Sequence, residues 1–253
     1  MDRRTYLGLA AAGAFGTVAG CTDAVGSQEF PPYPDSNTTE LSGEGATTSD
    51  AFELSLDGPT LINLEHMGSD NFTVVLDVPQ AEDTDDSGNE TAETGDNSTT
   101  DGLEPEELEA DDQISPVANV ASAVGAYDGR TLQSVDAGRY VLRALEADGE
   151  WEATVYDLPA YDDGIGTEIP FEQDGEQYDV VGPINFDVET VVDFEFSVTG
   201  DGFHRLFLTD RTGTESFTVA ELEGEGEESV SQEVSGVGYI EILTVRSWSL
   251  ALS

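Results

Sequence analysis

Lysine is absent from this chain. Its eight basic residues are all arginine, set against 54 Asp and Glu, and the formal net charge is -46. No basic stripe exists to hold a phosphate backbone, which excludes nucleic acid as a partner. The same charge opposes docking on anionic lipid head groups. Cysteine occurs once, at Cys21, so an intrachain disulfide is excluded. Histidine occurs twice, at His66 and His204. A Ser-His-Asp site needs one of them beside a serine, and no Gly-x-Ser-x-Gly elbow is present. Helical periodicity is also missing beyond the first 20 residues, apart from a short turn at Pro105–Ala110.

Hydrophobic residues are 38% of the chain, enough for a core. The acids are interspersed with them over most of the length, which indicates folded domains with an acidic skin rather than general disorder. At low salt such a skin repels itself over tens of Å; at molar salt the Debye length falls to about 3 Å. An acid-rich, lysine-free surface reads as adaptation to salt, in an extreme halophile and specifically an archaeon.

Residues 1–20 read as a targeting segment. Arg3-Arg4 and Thr5-Tyr6-Leu7 precede an uncharged Gly/Ala-rich run from Leu7 to Ala19. The run is shorter than the roughly 20 apolar residues that span a bilayer. The arginine pair resembles a twin-arginine export signal, although Asp2 stands where Ser or Thr is commoner and Gly8 where Lys is often found. Val18-Ala19-Gly20-Cys21 resembles a lipobox, with small residues for a peptidase cleft and a thiol to take a thioether-linked lipid. This implies cleavage before Cys21 and lipid on it, and a two-chain lipid anchors stably. Loss of Asp2, Arg3 and Arg4 takes the formal charge from -46 to -47. The expected location is extracellular, on the outer face of the cytoplasmic membrane.

Residues 21–45, with Pro31-Pro32-Tyr33-Pro34, read as a flexible tether. From there the pattern alternates as strands do. Phe52, Leu54 and Leu56 form one such set, Ile62, Leu64 and His66 a second, and Phe72, Val74, Leu76 and Val78 a third. Residues 46–158 form a first domain, interrupted at 80–113 by an acidic stretch that reads as a disordered loop. Residues 159–176 read as a linker, and 177–253 as a second domain. A repeat links the two domains. Ile62-x-Leu64-x-His66 leads to Gly68, as Phe194-x-Phe196-x-Val198 leads to Gly200; Gly138-Arg139-Tyr140 leads to Trp151, as Gly238-Tyr239 leads to Trp248. Gly68 to Gly200 is 132 residues and Trp151 to Trp248 is 97, so the first copy carries 35 more between these landmarks, close to the 34 of the acidic stretch.

Gly68-Ser69-Asp70-Asn71-Phe72, Gly125-Ala126-Tyr127, Gly138-x-Tyr140-x-Leu142 and Ala147-Asp148-Gly149-x-Trp151 together resemble the pre-peptidase C-terminal domain of bacterial and archaeal surface proteins and lipoproteins. The resemblance covers 46–158, and 177–253 only in part, because the Asn-Phe and Gly-x-Tyr pieces are missing or altered there. It implies small jelly-roll-type sandwiches that act as non-catalytic appendages, and it carries over no catalytic residue. The expected fold is all-β: two tandem antiparallel β-sandwich, jelly-roll-like domains after a cleaved leader and a tether.

His66 lies on an apolar strand face, which favours packing; His204 beside Arg205 reads as surface or strand edge. Asp83-x-Asp85-x-Ser87-Gly88 resembles the start of an EF-hand loop, but Thr94 takes the twelfth position, so a solvated loop is the better reading. Asp162 and Asp163 are an unspecific acidic pair. No metal or cofactor is expected. Of four Asn-x-Ser/Thr sequons, Asn37, Asn89 and Asn97 lie in expected loops and are the glycosylation candidates, while Asn71 starts a strand. Trp151, Trp248, Tyr140 and Tyr239 recur at matching points, which favours core packing; Tyr127, Tyr156 and Tyr161, near turns, are candidates for a sugar platform. The function expected is non-catalytic binding or structure at the cell envelope. The partners would be the membrane, through lipid on Cys21, and a surface glycan or envelope protein; the oligomeric state is open. The alternative is a secreted hydrolase or an accessory subunit of a surface enzyme. A transporter's solute-binding protein fits less well, such proteins being larger and α/β.

The acidic skin generates the first prediction. Circular dichroism should show strand structure in molar salt and its loss as salt is dialysed away. An unchanged spectrum in dilute buffer would refute the salt-adaptation reading.

Overall fold

A computed structural model describes residues 33–79 and 116–253. Among these residues there are fourteen strands and no helix. The first eight are β1 (Asn37–Glu44), β2 (Phe52–Leu54), β3 (Thr60–His66), β4 (Asn71–Asp77), β5 (Ala118–Val124), β6 (Tyr127–Gln133), β7 (Gly138–Glu146) and β8 (Glu150–Asp157). They form two antiparallel sheets in the orders β1-β8-β3-β6 and β2-β7-β4-β5. This is jelly-roll wiring: apart from the β4–β5 pair, successive strands alternate between sheets, and first and last strands pair. Alternation supplies the core. Ile62 and Leu64 of β3, Phe72, Val74 and Leu76 of β4, Leu142 and Ala144 of β7, and Trp151 of β8 meet between the sheets.

The remaining strands are β9 (Phe171–Glu176), β10 (Asp179–Val198), β11 (Phe203–Asp210), β12 (Ser216–Glu223), β13 (Gly226–Leu243) and β14 (Ser247–Leu252). They form one ladder, β12-β11-β13-β10-β14-β9. The two long strands bend together, where their register breaks between Phe186 and Thr190 opposite Gly236 and Val234. Each half belongs to a different layer. The later half of β10 and the earlier half of β13 lie with β14 and β9, and the other halves lie with β11 and β12. Counting halves as strands, the wiring is that of the first sandwich, with one core shared by both layers.

The repeat is sharpest at the tryptophans. Trp151 stands opposite Gly43 and His66, and Trp248 stands opposite Gly175 and Val198. Each indole N–H donates to a carbonyl just past the first strand of its sandwich, Gly45 O at 3.3 Å and Gln177 O at 3.1 Å. A Cβ on Gly43 or Gly175 would run into the facing indole. Glycine is required there because the ring lies flat over its neighbour's backbone.

Two boundaries differ from the sequence reading. Asn37–Glu44, assigned to the tether, is β1, paired with β8 along its whole length. Phe171–Glu176, assigned to the linker, is β9, paired with β14. Both are edge strands, held mainly by backbone hydrogen bonds, so they carry few apolar residues to announce them. The leader and the acidic stretch 80–113 lie outside the described residues.

Gly43→Ala and Gly175→Ala should each destabilise the protein by about 1–3 kcal/mol, the usual range for overpacking. Melting temperatures in molar salt check this, and an unchanged value would contradict the indole contact.

Candidate functional site

A third cluster of buried residues joins the sandwiches. It contains Tyr33, Leu61, Leu132, Leu158, Tyr161, Val180, Val237 and Tyr239. Leu61 sits next to the core residue Ile62, and Val180 next to Val181, so each faces away from its own core. The outer face of β1-β8-β3-β6 therefore packs on the outer face of β10-β13-β11-β12. Each large apolar side chain fully buried there is worth roughly 1.5–3 kcal/mol over exposure.

Polar contacts frame this seam. Arg130 on β6 donates through Nε to Asp179 on β10 at 2.5 Å, and its backbone N–H donates to Tyr178 O at 3.0 Å. Burial opposes the Arg130 charge, but Asp179 more than offsets it and the guanidinium pKa is raised. The Tyr127 and Tyr178 rings meet edge to face at 6.2 Å. Tyr161 donates to Pro34 O at 2.7 Å, and burial pushes its phenol up to about 12. Tyr33 packs edge to face on Tyr156 at 5.1 Å, and burial raises its pKa as well. Glu241 of β13 accepts from Thr209 at 2.6 Å, and burial raises its pKa.

The closest approach to catalytic chemistry lies at the far end of the first sandwich. His66 Nδ1 is 3.2 Å from Gly125 O, which can only accept, so Nδ1 carries the proton. The ring stacks on Phe72 at 4.0 Å with the planes 1° apart. Its Nε2 is 3.4 Å from Asp148 Oδ1. Ser69 donates its N–H and its hydroxyl to the same Asp148, at 2.9 and 3.0 Å to Oδ2, and these bonds hold the carboxyl below its usual range. The acid thus stands between serine and histidine. A hydrolytic triad needs the histidine in the middle, taking the serine proton. The arrangement ties the β3–β4 turn to the β7–β8 turn and activates no nucleophile.

His204 differs from expectation. It is fully buried on β11, with Nδ1 2.7 Å from Thr244 Oγ1. Its counterpart in the first sandwich is Phe72, so it occupies a core position that a neighbouring arginine disguised. The sugar-platform candidates are also displaced. Tyr127 is buried in the first core, between Phe72 and Tyr178, while Tyr161 is buried and Tyr156 half-buried at the seam. Trp151, Trp248 and Tyr140 are core residues. Tyr239 is buried too, but in the seam.

Asn37 is not in a loop: it opens β1, with its amide donating to Asp157 at 3.1 Å and Ser55 at 3.2 Å. Asn71 opens β4 and is exposed. Asp163 is exposed, 3.8 Å from Arg211. Cys21, Arg3, Arg4, Asn89, Asn97 and the EF-hand-like Asp83–Gly88 fall outside the described residues.

Fold and seam define the class: two tandem jelly-roll sandwiches packed sheet face to sheet face. No family model matches the chain, and no curated protein matches it.

The seam makes a prediction. Arg130→Ala leaves Asp179 largely buried without its partner. Breaking such a pair costs about 3–5 kcal/mol when fully buried, so roughly 2–3 is expected at this partly open site. The loss should appear in denaturant unfolding and be smaller in the double variant Arg130→Ala/Asp179→Ala. Equal losses would remove the ion pair from the account.

Proposed function

We propose that this protein is held by lipid on Cys21 at the outer face of the cytoplasmic membrane of a salt-adapted cell, with a non-catalytic binding or structural role. One observation carries the reading beyond the leader. Tyr33, only twelve residues after Cys21, is already buried in the seam. Twelve residues reach at most about 40 Å. The anchored end therefore enters the body between the sandwiches, and the body stands next to the membrane rather than on a long stalk. A non-catalytic role is supported by the histidines, both of which are committed to packing and to structural hydrogen bonds. The resemblance to pre-peptidase C-terminal domains supports the same role.

Expression in a halophilic archaeal host tests this. The wild-type chain should partition into detergent with its membranes and show a lipid mass increment on Cys21. Cys21→Ser should leave the detergent phase, and Arg3→Lys/Arg4→Lys should keep the chain inside the cell. Membrane retention of Cys21→Ser with unchanged mass would overturn the anchor.

A further inference from the structure

The two sandwiches differ at one end, and the difference points to a ligand. Tyr140 stands opposite Phe52, and Gly238 stands opposite Ile184. Two residues on, Leu142 stands opposite Leu76 and Ile240 opposite Leu208. Gly238 is therefore the counterpart of Tyr140. In the first sandwich the Tyr140 ring closes the end of the core. It is 6.4 Å from the Phe52 ring, and its hydroxyl donates to Asp136 O at 2.8 Å. Gly238 has no side chain to do the same. A cleft of about 490 Å³ opens there, lined by Phe186, Leu208, Phe217, Val234 and Gly238 and running to Ser235.

The lining sets the chemistry. Phe186, Leu208 and Val234 are buried core residues that give the cleft an apolar floor. Phe186 fills part of the missing ring's place, since a Cβ on Gly238 would lie 3.2 Å from its Cε2. The remaining space is displaced outward toward Phe217, which is 42% exposed. An aromatic ring in that space would meet apolar side chains and an aromatic neighbour. Asp210, Glu215 and Glu233 line the same cleft, with no basic residue among its lining. The Asp210 carboxylate already accepts from Thr212, Thr214 and Glu215 in its own turn. Glu215 and Glu233 are exposed at the rim of the cleft.

We propose that this cleft binds a small aromatic amine, its ring lying beside Phe186 and Phe217, just outward of the place that Tyr140 fills in the first sandwich, and its ammonium at the rim that carries Glu215 and Glu233. The proposal gives the binding role above a ligand class and rests on that reading. Its test uses soluble mature chain, so its failure and failure of the lipid anchor are separable.

Tyramine titrated into the isotope-labelled chain in molar KCl should shift the amides of residues 208–217 and 233–238 saturably. Ethylamine, which lacks the ring, should not. Hydroxyphenylacetate, with the ring but a carboxylate, should bind roughly three- to tenfold more weakly, since rim charges act through screening salt. Ser235 is exposed, so Ser235→Trp can lay an indole over the opening without disturbing the core, and it should abolish the shifts. Glu215→Gln/Glu233→Gln should bring the two aromatic compounds to within about twofold of each other. No saturation at millimolar tyramine, equal shifts with ethylamine, or shifts that persist in a folded Ser235→Trp chain would each overturn the proposal.

Discussion

The architecture turns on an apolar contact made by residues that point the wrong way. In a sandwich with one solvated face, alternate strand positions are polar. Leu61, Leu132, Val180, Val237 and Tyr239 break that rule, and each lies on an outer face. Left open, they would form a patch of the kind soluble proteins avoid. Packed together, they fix which sheet of one sandwich meets which sheet of the other. The contact is not two-fold symmetric: the sheet containing the first strand of one jelly roll meets the sheet lacking it in the next. The chain's entry point follows, because Tyr33 lies within this same cluster and Tyr161 holds Pro34. Across the seam, Arg130 pairs with Asp179, which sets one of the chain's few cations against a carboxylate whose side chain is only 15% exposed.

One wiring diagram is executed in two ways. The first sandwich breaks its chain at Asp57-Gly58-Pro59 and again between Gln133 and Gly138, so four short strands stand where the second sandwich has two long bent ones. Gly236, at positive φ opposite Phe186, sits where β13 passes from layer to layer beside β10, and the two strands pair on both sides of that break. The shared element is the tryptophan lying over glycine at the edge strand. The histidines show how loosely other core positions are held. His66 stacks on Phe72 in the first sandwich, and in the second Val198 and His204 take those two places.

The all-β class and the core strands were legible because alternation and burial coincide, as in Phe194, Phe196 and Val198. The tryptophan landmarks were legible for the same reason. The edge strands were not. NTTELSGE and FEQDGE contain one apolar residue and one aromatic residue, respectively, and owe their position to backbone pairing that composition does not record. Tyr239 looked equivalent to Tyr140, yet it sits one place further along its strand. A shift of one residue moves a side chain to the opposite face, so Tyr140 closes a core and Tyr239 lines the seam. His204 was misread because its neighbour Arg205 is a charged, half-exposed residue, although in a strand neighbours face opposite ways. The seam itself could not be read from one strand at a time, since apolar residues on both faces of β3 have meaning only when the second sandwich is placed.

The acidic skin is also organised by the sheets. Glu65 of β3 stands directly between Glu152 of β8 and Asp128 of β6, three exposed carboxylates abreast. Glu44 faces Glu150 on the neighbouring edge. On the free face of the second sandwich, Glu172, Asp174, Glu195 and Glu227 flank a shallow floor of Ser197, Ser249 and Ala251. Like charges opposite one another on paired strands are destabilising, on the scale of about 0.2–1 kcal/mol per pair. In dilute solution these terms add across both sandwiches against the narrow margin typical of folded domains. At molar salt the screening length is about 3 Å, shorter than the spacing of facing side chains, and the cost largely disappears. The seam and the two cores are apolar and barely feel that change. Salt therefore acts on this fold by removing an opposing term from its surface, while the contacts that define its shape stay the same.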